Sequence, residues 1–183
     1  MKKIIISLVL LSLTALSLYA QEPETREYTH VGKKMPVFKV RDVSGVEFDV
    51  EAKKGKVVVV YFWATWCPYC REEMPYLESE LWEKYKSKDF AMIGIARKQT
   101  EIEVKKYLKA NAALTFPMAA DPTGAIFWLF ANAALPRIYL VGRDGKILSQ
   151  EVGFNPDRFE EWCELIDEEL KKTETDTKAA KTP

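Results

Sequence analysis

Histidine is almost absent from this 183-residue chain, where His30 stands alone. That removes every Ser-His-Asp or Cys-His catalytic pair, and every His-rich metal cage, that does not use His30. Cysteine is scarce as well: three thiols cannot supply the four that an all-cysteine structural zinc site needs. An excess of one charge is also missing. The 27 basic side chains balance 27 acidic ones, so the basic surplus that binds phosphates is not there and nucleic acid is excluded as a partner. Disorder is excluded in turn by the 48% apolar fraction. The length suits one domain with a full core, and no internal repeat is present.

The N-terminus has the anatomy of an export signal. Met1-Lys2-Lys3 is positive, and the seventeen residues from Ile4 to Ala20 carry no charge. Leu18-Tyr19-Ala20 then offers cleavage before Gln21. An uncleaved anchor is the alternative, although a bilayer span takes about twenty residues. The first cysteine after the apolar run is Cys67, so lipid attachment at a new N-terminal cysteine is excluded. Loss of Lys2 and Lys3 leaves 25 basic against 27 acidic residues, a charge near −2. Residues 21–34 are polar and aperiodic and are expected to be a linker; 173–183 lack an apolar face and are expected to be a disordered tail. A domain remains over 35–172.

Within it, strands and helices alternate. Val37–Val40 and Val46–Val50 flank Asp42-Val43-Ser44-Gly45 as a hairpin. Val57–Phe62 is a continuous apolar run suited to a strand buried on both faces. Cys70, Met74, Leu77, Leu81 and Tyr85 recur at helical spacing from Pro68 to Ser87, with Pro75 expected to kink the helix. Phe90–Ala96 is a second buried strand and Glu101–Ala110 a second helix, which implies a parallel right-handed crossover. A short helix is expected over Ala125–Phe130. A hairpin follows from Arg137–Val141 and Lys146–Gln150, and then a closing helix over Asn155–Lys171 burying Phe159, Trp162, Cys163, Ile166 and Leu170. The sum is an α/β sandwich around a mixed sheet.

Chemistry concentrates at Cys67-Pro68-Tyr69-Cys70. Two cysteines three apart, after a buried strand and at a helix start, read as a redox pair closing a Cys67–Cys70 disulfide. The unpaired N–H groups and dipole of the helix N-terminus favour a thiolate at Cys67, while Cys70 lies one turn further in. Cys67 is therefore the attacking thiol and Cys70 the resolving one. A purely structural disulfide gains little chain entropy from so short a loop, and a metal would want ligands this chain hardly has. No metal site and no cofactor are expected.

The run Phe62-Trp63-Ala64-Thr65-Trp66-Cys67-Pro68-Tyr69-Cys70-Arg71-Glu72-Glu73-Met74-Pro75 resembles the active-site segment of the thioredoxin superfamily, most closely its TlpA/ResA-like exported thiol-disulfide oxidoreductases. The likeness extends from about Met35 to Leu170. It implies a thioredoxin fold, a central mixed β-sheet flanked by helices, with an N-terminal β-hairpin extension. It also implies a cis bond at Leu135-Pro136, leaving the Leu135 backbone free to pair with an extended substrate. Trp66, Pro68 and Tyr69 complete the expected substrate-facing surface.

Two departures stand out. Thioredoxin has a buried aspartate six positions before its first cysteine, where Tyr61 stands here. The ResA-like branch instead uses a glutamate three residues after the second cysteine, and Glu73 matches it as a proton acceptor for Cys70; the plainer alternative is a solvated charge like Glu72. Arg137 follows the cis-proline position, where threonine is usual, and either favours acidic partners or points to solvent. Cys163, Trp82, Trp128 and Trp162 are expected to pack. His30 is expected to be solvated, and Lys33-Lys34 and Lys53-Lys54 are too short to imply an anionic partner.

The resemblance implies an exported, monomeric reductant of protein disulfides in the periplasm or cell envelope. Apocytochrome c is among its possible substrates, and a membrane-embedded thiol reductase would be its electron donor. A disulfide oxidase or isomerase on the same scaffold, or a non-catalytic thioredoxin-like binding module, are the alternatives. A peroxiredoxin would need proline where Val60 stands, and a copper-delivery protein a histidine after His30. The flanking Trp63 and Trp66 do not suit a glutaredoxin.

Overall fold

The strand Val57–Trp63 (β3) is built from β-branched and aromatic residues, and every one of its side chains is buried. Such a strand belongs in the middle of a sheet. In the computed structural model, which describes residues 25–172, β3 pairs in parallel with Phe90–Arg97 (β4) and antiparallel with Arg137–Val141 (β6). Met118–Asp121 (β5) adds in parallel to β4, and Ile147–Val152 (β7) antiparallel to β6, giving the order β5-β4-β3-β6-β7. Lys39–Arg41 (β1) and Glu47–Asp49 (β2) form the separate N-terminal hairpin. The export signal expected at 1–20 and the tail expected at 173–183 lie outside the described residues.

Alternation along β3 splits the core between two faces. Val57, Val59, Tyr61 and Trp63 pack with Cys70, Met74, Leu77, Phe159, Trp162 and Ile166. Val58, Val60 and Phe62 pack on the other face with Phe38, Phe48, Phe127, Phe130 and Tyr139. The helices Pro68–Tyr76 (α1), Glu83–Tyr85 (α2), Glu101–Ala110 (α3) and Arg158–Lys171 (α4) complete the fold.

Several elements differ from the sequence expectation. Pro75 sits inside α1, and the helical path continues beyond it as a π turn over Leu77–Trp82 before α2. The strand β5 was not foreseen, and the expected helix at Ala125–Phe130 is a 3₁₀ turn at Phe127–Leu129. On α4, Glu169 is buried rather than Leu170; its Oε2 accepts the Arg143 N–H at 3.2 Å and its carboxylate pairs with Lys172. Trp162 is buried, Trp82 donates to Thr115 Oγ1 at 3.0 Å, but Trp128 is exposed rather than packed. Of the linker expected over 21–34, the described residues bond to the domain: Tyr28 N–H donates to Phe130 O, Gly32 N–H to Ile147 O and Asn132 N–H to Arg26 O.

Candidate active site

The cysteines sit where β3 ends and α1 begins. The Cys67 N–H donates to Ala64 O at 3.0 Å, which tightens the turn out of the strand. Cys67 is the N-cap residue, with Pro68 in the first turn, where a missing N–H costs nothing. The Cys70 N–H donates to Cys67 Sγ at 3.2 Å, so the first thiol position already receives a backbone donor. A disulfide joins Cys67 and Cys70, whose Cα atoms are 5.3 Å apart. Cys67 is 3% exposed and Cys70 fully buried. Around this small opening, Trp66 and Tyr69 project with 68% and 60% exposure. Pro68 is exposed beside them.

The loop ahead of the cysteines is held by a residue that sequence reading missed. Gln99, buried just before α3, accepts from the Thr65 N–H at 2.7 Å and donates to Thr65 Oγ1 at 2.6 Å. Thr100 next to it caps α3 in a reciprocal capping box with Glu103.

Glu72 and Glu73 part company. Glu72 is exposed, whereas Glu73 is 1% exposed on the inner face of α1, and its Oε2 has no hydrogen-bond partner among the described residues. Burial pushes its carboxyl from the ordinary 4.5 up to about 8, a hydrogen bond from Tyr61 opposes the rise, and the charge of Glu151 adds to it. Tyr61, also fully buried, donates its hydroxyl to Cys70 O at 3.1 Å. Burial and the neighbouring Glu73 drive the Tyr61 phenol well above its usual range. Tyr61 is thus bonded to the Cys70 backbone and acts on the titration of the buried Glu73 carboxyl. Alternation could have found it, since Tyr61 shares a face with Val59 and Trp63.

Across from α1, the Leu135–Pro136 peptide bond is cis. Leu135 packs against the cluster that contains Cys67 and Cys70, and its N–H and C=O have no hydrogen-bond partner among the described residues. Arg137, read as a cation beside the groove or in solvent, is neither. It is 1% exposed and paired with Glu27 on the sheet face that carries Tyr139. Cys163 is buried on α4, with its thiol 3.6 Å from Glu80 O. Among the described residues no cluster of His, Cys, Asp and Glu is placed to hold a metal ion, and no helix is long and apolar enough to cross a membrane.

This fold, with paired cysteines at the β3–α1 junction facing a cis-proline loop, defines a thioredoxin-like dithiol protein. The chain belongs to the Redoxin family, whose profile matches residues 30–164. It is 35% identical over 170 residues to the thiol-disulfide oxidoreductase ResA of Bacillus thuringiensis subsp. konkukian, covering 93% of this chain and 94% of that protein. Among solved structures it resembles one from Bacteroides thetaiotaomicron described as a protein disulfide isomerase, with TM-score 0.75, 33% identity, and 80% and 94% of the two chains covered. It also resembles a Chlorobium tepidum thiol:disulfide interchange protein, DsbE, with TM-score 0.66, 30% identity, and 78% and 99% covered. The protein is a thiol-disulfide oxidoreductase.

Proposed function

We propose that this oxidoreductase is exported and works in the cell envelope as a reductant of protein disulfides. The observation that carries the reading is the shielded Cys67–Cys70 pair at a helix N-terminus, next to a buried Glu73 and the open backbone of Leu135. In the reduced enzyme the Cys67 thiolate attacks a substrate disulfide. An enzyme–substrate disulfide forms and one substrate thiolate leaves, taking a proton from solvent. Cys70 then gives its proton to the ionised form of Glu73 and attacks Cys67 sulfur; the second substrate thiolate leaves, taking a proton from solvent, and the Cys67–Cys70 disulfide closes. Leu135 pairs with the extended substrate as an added strand would, while Trp66, Pro68 and Tyr69 contact it around the opening. A membrane-embedded thiol reductase returns the two electrons. Apocytochrome c is a substrate that the ResA-like resemblance brings in.

The second reading, isomerisation, draws on the structural relative described as an isomerase. Equilibration of the Cys67–Cys70 couple against a dithiothreitol or glutathione series separates the two. A potential near about −270 mV supports the reductant, and one near about −120 mV overturns it in favour of disulfide formation or isomerisation.

A further inference from the structure

The loop that presents Leu135 is held by guanidinium groups along its backbone. Arg97 Nη2 donates to Asn132 O at 3.0 Å. Arg137 Nε donates to Ala133 O at 2.7 Å and to Ala134 O at 3.1 Å. Three successive carbonyls therefore end on two arginines, immediately before the residue whose own backbone is open. Ala134 lies at φ 65°, a left-handed conformation that an alanine keeps only when its surroundings impose it. Arg137 supplies that constraint.

Arg137 is in turn held from outside the five-stranded sheet. Its Nη1 pairs with Glu27 Oε1, and Tyr139 donates its hydroxyl to Glu27 Oε2 at 3.4 Å. The backbone beside Glu27 is strapped to the same loop: Tyr28 N–H to Phe130 O at 2.8 Å, Asn132 N–H to Arg26 O at 3.2 Å, and Arg26 N–H to Asn132 Oδ1 at 2.8 Å. An arginine this deeply buried needs such a carboxylate, and only a planar fork can serve the carboxylate and two carbonyls at once.

The geometry points to Arg137, locked by Glu27, as a positioning residue for protein substrate: the pair fixes the Leu135 edge to which the substrate backbone bonds. The role rests on the proposed reduction of protein disulfides. It acts through substrate pairing and leaves the thiols alone, because Arg137 lies on the sheet face away from the cluster that holds Cys67 and Cys70.

The test uses insulin as the disulfide substrate and dithiothreitol as the electron donor, with wild type, Arg137→Lys and Glu27→Gln. Lysine keeps the charge but loses the fork. Glutamine keeps an acceptor but loses the charge, and it leaves both carbonyl bonds of Arg137 available should Arg137→Lys fail to fold. The expected result is a rise in KM of about tenfold, the worth of one charge-assisted hydrogen bond, with kcat and the Cys67–Cys70 potential unchanged. An active wild type with unchanged KM in the folded variants overturns the inference alone. A changed potential, or a fall in kcat at constant KM, overturns it too, since the pair would then act on the thiols. A redox-active wild type that does not reduce insulin overturns the reductase reading, and the inference with it.

Discussion

Glu73 is the residue on which burial and chemistry meet. Its carboxyl titrates near 4.5 in an unfolded chain and at about 8 when buried beside Tyr61. Between those values the folded protein holds a proton that the unfolded one has released, so stability falls as pH rises from about 4.5 to about 8 and levels off above. Glu73→Gln removes this dependence. The oxidised variant should be more stable than wild type at neutral pH by a few kcal/mol, with a gap that grows across that window; urea titrations at a series of pH values measure it, and a gap that is flat with pH would refute the assignment. The same variant should slow reductive turnover if Glu73 is, as proposed, the proton acceptor for Cys70. Tyr61→Phe tests the other half of the arrangement. Its hydroxyl lowers the Glu73 pKa, so its removal should move the Glu73 titration above about 8, read by NMR of the labelled carboxyl. The helical spacing of Cys70 and Glu73 was legible in the sequence. Their burial was not, because Glu72 and Glu73 look alike until the sheet decides which side of α1 faces inward.

At the scale of elements, the strand-to-helix turn is only as well placed as the neighbour that holds it. Gln99 sits two residues beyond β4, one residue before the Thr100 cap of α3, and reaches across to Thr65 with both ends of its amide. Gln99→Ala leaves the Thr65 N–H without its acceptor and should cost about 2 kcal/mol, the penalty of an unpaired buried group. The loss should appear as a lower melting temperature together with faster alkylation of Cys67 in the reduced form. β3, β4, β6 and the α1 stripe could be read directly, since long β-branched runs and a 3.6-residue period carry their own signal. β5 could not: Met118-Ala119-Ala120-Asp121 has no β-branched residue, and it is a strand only because Gly94–Arg97 pairs with it. The π turn after Pro75 was equally hidden. Proline removes one helical donor, but whether the helix kinks, stops or widens depends on how Leu77 and Leu81 must seat in the core, where both are fully buried. Arg137 shows the limit most clearly. Its carboxylate partner is 110 positions away at Glu27, and no local pattern joins them.

Over the whole molecule, the dithiol, the two cores and the strap behave as one thermodynamic system, so the direction of electron flow is also a statement about stability. A strong oxidant of this kind is one whose folded, reduced form is stabilised; a reductant is one whose folded, oxidised form is. The interval from about −270 to −120 mV amounts to about 7 kcal/mol between those extremes. A difference of that size is plain in a melt, since each kcal/mol moves the midpoint by roughly 2–4 °C in a chain of this length. The proposed reductant should therefore melt higher when oxidised than when reduced. Cys67→Ser/Cys70→Ser should melt with the reduced form, because it lacks the disulfide in both states. Glu73 adds a pH dependence to the comparison. Its raised carboxyl disfavours the folded oxidised protein as pH climbs towards about 8, so the melting temperature of the oxidised form should fall across that range. Paired melts at several pH values, with and without dithiothreitol, read all of this at once. A reduced form that melts higher across that range would overturn the proposed direction of electron flow.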